Sequence, residues 1–112
     1  MDKKIQAGPH DIEQQAERNL VFAVYDEKAA TYSTRTLTIS ASIGVAIREF
    51  SLACQNPETF YNRFPSDYAL YHLGFFDDRS GKIYSFSEPR FVIRASEIIN
   101  QLTPKPQEVS NA

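Results

Sequence analysis

The chain has 112 residues and a formal net charge of −2 at pH 7. That length suits a single domain, and a composition of 42% hydrophobic and 23% charged residues excludes wholesale disorder. The near-neutral charge excludes a protein that coats nucleic acid through a global electrostatic field, although a local basic face remains compatible with it.

The two ends of the chain differ in composition from its middle. Residues 1–19 form a polar arm in which Gly8-Pro9 stops any regular element at that point, and a short helix capped by Asp11 is compatible with residues 11–18. The sequence leaves open whether the arm is an interaction arm or a frayed end. Residues 101–112 contain two prolines and no apolar pattern, so we predict a disordered C-terminal tail. The intervening residues, 20–100, are predicted to form a single domain.

The first half of this domain is predicted to form two strands and a helix. Residues 20–25 are a continuous apolar run of β-forming residues, which predicts a central strand. Residues 31–37 alternate β-branched and polar side chains and predict a weaker, half-exposed strand. An amphipathic helix follows from about residue 42 to 55. Its apolar face recurs at intervals of three and four residues, through Ile43, Ala46, Ile47, Phe50 and Cys54.

Cys54, the only cysteine, lies in the apolar stripe of this helix. Ser40 or Ser42 is predicted to cap the start of the helix, and Asn56-Pro57 to end it. A single cysteine excludes an internal disulfide and a cysteine-based metal site, and its position predicts a buried hydrophobic residue. The N-terminus has no apolar signal segment, and no run approaches the roughly 18 apolar residues that span a bilayer. We therefore expect a cytosolic protein without membrane contact.

An aromatic-rich hairpin dominates the second half, over residues 65–83. Residues 68–76 predict a strand whose side chains alternate between two faces. Strict alternation predicts that His72 lies on one face and that Tyr71 and Phe75 lie together on the other. Both faces are apolar or amphipathic, so the helix is expected to cover one of them and the other to be partly covered.

The polar segment 77–81 predicts the turn of this hairpin, because aspartates bond back to the backbone and glycine accepts a positive φ. Residues 90–99 begin with a strand pattern and end with that of a helical turn. The elements together predict an α+β fold: an antiparallel sheet of three to five strands with one main amphipathic helix packed on a face.

No motif in the chain carries enzyme, metal or cofactor chemistry. Asp77-Asp78 lacks the alternating oxygen ligands and distal glutamate of a calcium loop. His10 and His72 have no histidine or cysteine partner at metal-binding spacing, and the four glycines are too dispersed for a phosphate loop. A carboxylate pair from Asp67, Asp77, Asp78 and Glu88 would serve acid–base catalysis, but the adjacent aspartates are expected to be solvated in the turn. We predict that the protein is not an enzyme and holds no cofactor or metal.

Aromatic and basic residues around the hairpin form the remaining constellation. Single-stranded nucleic acid is bound by rings that stack on bases and by cations that follow the phosphates. The alternative is that the rings form the core, since a small domain without tryptophan needs large side chains inside. Residues 61–94 carry five basic and four acidic side chains. Their net charge of +1 is compatible with a nucleic-acid groove but does not by itself predict one.

Three segments in fixed order resemble a known family: FAVYDEKA at 22–29, AIREF at 46–50, and FPSDYALYHLGFFDD at 64–78. Together with Asn56-Pro57 they resemble the small nonstructural protein of gokushoviruses, the single-stranded DNA phages of the microvirus family. The resemblance covers roughly residues 20–100. It implies a DNA-binding, replication-associated protein of the host cytoplasm, which by analogy with the small C protein of related phages helps the switch to single-strand synthesis and packaging. It implies no catalytic residues.

The preferred hypothesis is thus a non-enzymatic phage accessory protein that binds single-stranded DNA. The side chains predicted to contact phosphates are Arg63, Arg79, Lys82, Arg90 and Arg94. Those predicted to stack on bases are Tyr71, Phe75 and Tyr84. The alternative hypothesis is a protein-interaction module that docks on the phage replication protein, the procapsid or itself, because tyrosine and arginine are favoured at interfaces. A homodimer or higher oligomer is expected in either case, since a small domain with strand edges has surface to cover.

Overall fold

A computed structural model describes residues 19–102, which form eight helices and strands and two short 3₁₀ turns. The strands and helices in chain order are β1 (Leu20–Asp26), β2 (Thr31–Tyr32), β3 (Thr38–Ser40), α1 (Ile43–Gln55), α2 (Phe60–Arg63), β4 (Tyr68–Asp77), β5 (Lys82–Arg94) and α3 (Ala95–Leu102). The 3₁₀ turns are Thr34–Thr36 and Pro65–Asp67. The predicted arm and tail lie outside the described residues, apart from Asn19 and the last two residues of α3.

The five strands form one antiparallel sheet in which β1 and β4 are central. β1 pairs with β4 on one side, while its other side pairs with β2 at one end and with β3 at the other. β5 pairs with β4 and forms the outer edge. The predicted α+β class, the antiparallel sheet and the main helix are therefore confirmed.

The core lies between one side of the sheet and the two helices α1 and α3. Phe22 from β1 and Cys54 from α1 are fully buried there, beside Leu70 from β4 and Ile98 from α3. The helix α1 begins where the Ser42 hydroxyl accepts a hydrogen bond from the Val45 N–H at 3.1 Å, as an N-cap does. Its position brings Cys54 into the core, as the apolar stripe predicts.

The predicted strand over 31–37 is wrong beyond Tyr32. The chain instead bends through the 3₁₀ turn before β3 begins at Thr38. The Thr36 hydroxyl accepts a hydrogen bond from the Val24 N–H at 2.8 Å and donates one to the Ser33 carbonyl at 2.8 Å. A threonine side chain thus replaces a backbone partner for β1, which propensity alone does not reveal.

Strict alternation along β4 is also wrong, because a bulge at Leu73 shifts the register. His72 pairs with Arg90 and Gly74 pairs with Ser85, so Leu73 faces the four residues 86–89 of β5. In β1, Phe22 pairs with His72 and Leu20 pairs with Phe75. Phe75 therefore lies on the same side of the sheet as His72 and the helices, not beside Tyr71.

The opposite side of the sheet carries no helix of the described chain, and we call it the helix-free face. Four rings lie on it and form a continuous layer, the ring layer: Tyr25, Tyr32, Tyr71 and Phe91. Neighbouring ring centroids are 4.7 to 5.9 Å apart. The small residues Ala23 and Ala69 pair with ring-bearing positions and are buried, so the rings pack above short side chains.

Candidate nucleic-acid interface

Four side chains on the helix side of β5 combine cations with aromatic rings, and we call them the β5 strip: Lys82, Tyr84, Phe86 and Arg90. Lys82 pairs with Asp77 and Tyr84 pairs with Phe75, so both lie on the helix side of the sheet. Phe86 and Arg90 reach the same side, because Phe86 contacts the His72 ring and Arg90 pairs with His72. The strip lies beside the core formed with the helices, near the outer edge of the sheet.

The Tyr84 ring stacks on Phe75, with ring centroids 5.1 Å apart and an interplanar angle of 20°. Phe75 is buried beneath it, whereas Tyr84 is 38% exposed. One face of the Tyr84 ring is thus held against the buried Phe75 ring, and the other face is open to solvent. Of the three predicted stacking residues, Tyr84 is available to a base and Phe75 supports it from below.

Arg90 lies over Phe86, with the guanidinium carbon 3.6 Å from the ring centroid. Phe86 meets the His72 ring edge-on at 4.7 Å, and His72 in turn stacks on the core residue Phe22 at 4.8 Å. This chain of contacts runs from the core to the surface and holds the guanidinium plane in one place. An exposed, preordered guanidinium is a surface on which a nucleobase stacks and to which a phosphate binds.

His72 is the buried member of this chain. Its Nε2 lies 3.0 Å from the Gly74 carbonyl oxygen, which only accepts, so Nε2 carries the proton. Burial lowers the pKa of His72, the hydrogen bond to Gly74 opposes that shift, and the positive charge of Arg90 lowers the pKa further. A neutral ring is therefore the form that this packing favours.

The turn beside the strip has the predicted chemistry. The Asp77 carboxylate accepts hydrogen bonds from the Arg79 N–H at 3.0 Å and from the Ser80 hydroxyl at 2.9 Å, and these bonds lower the pKa of Asp77. Gly81 adopts a φ of 80°, which glycine accepts at little cost. Arg79 is exposed in this turn, three residues before Lys82, the first residue of the strip.

The other predicted site residues lie elsewhere. Arg94 forms an ion pair with Glu27 at 2.7 Å and donates to the Ser66 carbonyl at 3.1 Å, so its charge is already matched. Arg63 belongs to α2 and donates through Nε to the Pro57 carbonyl at 3.4 Å. Tyr71 lies in the ring layer on the opposite side of the sheet. The structure therefore places Lys82, Tyr84 and Arg90 on one side of β5, with Phe75 stacked on Tyr84 and Arg79 in the turn that precedes the strand.

Phe86 is the member of the strip that the sequence-based site set lacks. The alternation of side chains along the return strand assigns Phe86 to the same side as Tyr84, and this pattern is the sequence signal that could have added Phe86 to the predicted site. The decisive contact with Arg90 depends on the bulged segment 86–89, which the pattern does not show.

Within residues 19–102, no group of three or more histidine, cysteine or acidic side chains has the arrangement of a metal site. No helix in that range is long and apolar enough to cross a membrane.

The fold and the strip define a small α+β domain with cationic and aromatic side chains along one side of an outer strand. The chain belongs to the phage ORF5 protein family, whose family model matches residues 19–98. Neither the curated proteins nor the solved structures include a match to this chain.

Proposed function

We propose that this phage protein is a non-enzymatic accessory that binds single-stranded DNA in the host cytoplasm, during genome replication or the switch to packaging. Membership of a phage family supports a role in phage infection. The resemblance to the nonstructural protein of single-stranded DNA phages supports single-stranded DNA as the ligand. The β5 strip is the proposed binding surface. One observation carries this choice: two cations and two rings lie along the same side of β5, with the Arg90 guanidinium 3.6 Å from the centroid of the Phe86 ring.

The charges of the strip favour a phosphate ligand at close range. Among the described residues, neither Lys82 nor Arg90 forms an ion pair, whereas Arg94 does. Asp77 lies opposite Lys82 in the sheet, but its carboxylate is already bonded to the turn at Arg79 and Ser80. The overall charge of −2 supplies no long-range attraction, so the affinity must come from these local contacts.

The first experiment is a titration of labelled single-stranded DNA at several salt concentrations. Each phosphate contact contributes a slope of about −0.7 to the logarithm of affinity against the logarithm of salt. Lys82 and Arg90 together predict a slope of about −1.4, and an additional contact from Arg79 raises its magnitude to about 2.1. Binding that is independent of salt, or absent at low salt, would contradict the proposal.

The matched variants each remove two cations. Lys82→Gln/Arg90→Gln should reduce the magnitude of the slope by about 1.4, because glutamine keeps the apolar stem and loses the charge. Arg63→Gln/Arg94→Gln removes the same total charge away from the strip and should leave the slope unchanged. Equal effects of the two variants would locate the binding elsewhere. Circular dichroism verifies that both variants are folded.

The rings test the preference for single strands. Tyr84→Leu keeps an apolar cover on Phe75 but removes the stacking face, so we expect a loss of about 1–3 kcal/mol in binding free energy. A duplex of the same sequence offers no unpaired base to Tyr84 and should bind more weakly than the single strand. Tighter binding to the duplex would exclude stacking as the source of affinity.

The second candidate function is a protein-interaction module that docks on the phage replication protein or the procapsid. The helix-free face favours it, because a half-exposed aromatic layer is typical of protein interfaces. A pull-down from infected cells with the wild-type chain and with Phe91→Lys distinguishes the two candidates. A phage partner that Phe91→Lys loses, together with a wild-type chain that binds no single-stranded DNA at low salt, would support docking instead of DNA binding.

A further inference from the structure

We propose that the helix-free face is the interface of a homodimer, in which a second copy of this chain packs sheet against sheet. The proposal does not depend on DNA binding, because the β5 strip lies on the other side of the sheet. The exposure of this face supplies the first argument. Three large apolar side chains whose register positions lie on this face are exposed: Phe91 and Ile39 by 48% each and Ile83 by 60%.

Charge supplies the second argument. In a twofold dimer the same patch meets itself, so any net charge on it would repel its own copy. Among the positions of this face that pair in register, Arg94 alone is charged, and Glu27 of the same chain already neutralises it. The helix side of β5, by contrast, carries Lys82 and Arg90 and could not meet itself without repulsion.

The relief of the face supplies the third argument. One register row runs from Ile39 of β3 through Val21 and Gly74 to Ser85, and Gly74 and Ser85 leave a hollow in it because they have a small side chain or none. A row of large residues lies on either side of it, with Ile83 in one and Phe91 in the other. Ridges and a hollow on the same surface allow one copy to insert its ridges into the hollow of the other, as inner faces of packed sheets do.

Area supplies the fourth argument. Four strands at a spacing of about 4.8 Å and seven residues at a rise of about 3.4 Å give a footprint of roughly 450 Å². Because side-chain relief adds to that footprint, two copies bury about 1,000 Å² or more, the lower bound for a specific interface. The N-terminal arm is the competing occupant, but the eight residues that precede Asn19, 11–18, contribute only Ile12 and Ala16 as apolar side chains. They are too few to cover this face.

Sedimentation velocity of the full 112-residue chain, over a range of micromolar concentrations, tests the proposal. The wild-type chain should reach twice the mass of the 12.7 kDa monomer as its concentration rises. Phe91→Lys puts two like charges into the interface and should give a monomer throughout. Because Phe91 also contacts Tyr71, Ile83→Lys provides a second variant at a more exposed position with the same expected result.

The matched control is Leu52→Lys, which introduces the same charge at a 63% exposed apolar position on α1 and should still form the dimer. Lys82→Gln/Arg90→Gln should also form it. A wild-type chain that stays monomeric at every concentration would overturn the proposal, as would a dimer that both Phe91→Lys and Ile83→Lys leave intact. A monomer that dimerises only after deletion of residues 1–18 would show that the arm occupies the face, and it would overturn the proposal as well.

Discussion

Replacing Gly74 by alanine tests the close approach of β4 and β5 at the bulge. A Cβ on Gly74 would lie 1.9 Å from the Tyr84 carbonyl oxygen and 2.9 Å from the Ser85 Cα, whereas real Cβ atoms essentially never come within 3.0 Å of another atom. Both neighbours are backbone atoms, so no side-chain rotation relieves the contact. The two strands would have to separate by about 1 Å, which disrupts their pairing and moves Tyr84 from Phe75.

Overpacking costs typically about 1–3 kcal/mol, and a clash with backbone belongs at the upper end, so we expect Gly74→Ala to lower the free energy of unfolding by about 3 kcal/mol. For a domain of this size, that loss lowers Tm by roughly 12–24 °C. The measurement is thermal and urea denaturation followed by circular dichroism.

Two other glycines provide the controls. At Gly81 a Cβ meets no atom within 4 Å, so Gly81→Ala costs only the left-handed backbone conformation, about 1 kcal/mol. At Gly44 the nearest atom is 3.8 Å away, so Gly44→Ala in the first turn of α1 should stabilise the protein by up to about 0.5 kcal/mol. The reasoning is refuted if Gly74→Ala is no more destabilising than Gly81→Ala.

Two further predictions concern buried titratable groups. Because burial lowers the pKa of His72 in the folded protein, the unfolded chain takes up the proton first as the pH falls below the ordinary value of 6.5. The unfolding free energy should therefore decrease as the pH falls below about 6.5, and His72→Phe should lack that part of the pH dependence; identical slopes for the two proteins would contradict the assignment. Burial raises the pKa of the Cys54 thiol to about 11, so Ellman's reagent should react with it in denaturant and hardly at all with the native protein at pH 8. Rapid reaction of the native protein would mean that α1 opens locally.

The elements that the sequence predicts correctly are those whose signal is local. The helix α1 has an apolar repeat, a capping serine at 42 and a proline at 57 that ends it, all within sixteen residues. The turn after β4 likewise contains its own hydrogen bonds, which the Asp77 carboxylate accepts from the Arg79 N–H and the Ser80 hydroxyl. Each signal acts between neighbours in the chain, so periodicity and turn chemistry are sufficient to find it.

The features that the sequence does not predict depend on distant partners. Phe75 changes sides because Leu73 is an extra residue of β4 opposite the step from Val21 to Phe22 in β1, and no local pattern shows where such a bulge falls. Arg94 is neutralised by Glu27, 67 positions earlier, so its predicted role as a phosphate contact fails for a reason outside its own segment. The sequence predicts a larger set of DNA-contacting residues. Only the pairing of the strands shows that Lys82, Tyr84 and Arg90 share one side of the sheet.

The proposed DNA-binding surface and the proposed dimer interface lie on opposite sides of β5. Dimerisation should therefore change how the protein binds a long DNA strand. A homodimer through the helix-free faces would leave both β5 strips exposed, one on each outer side. A single strand long enough to reach both strips would then bind the second one at high effective concentration, so its affinity should exceed that for a short strand. Phe91→Lys should abolish this length dependence and leave the affinity for the short strand unchanged. Length dependence that persists in a monomeric Phe91→Lys variant would instead mean that a longer strand finds further contacts on one copy.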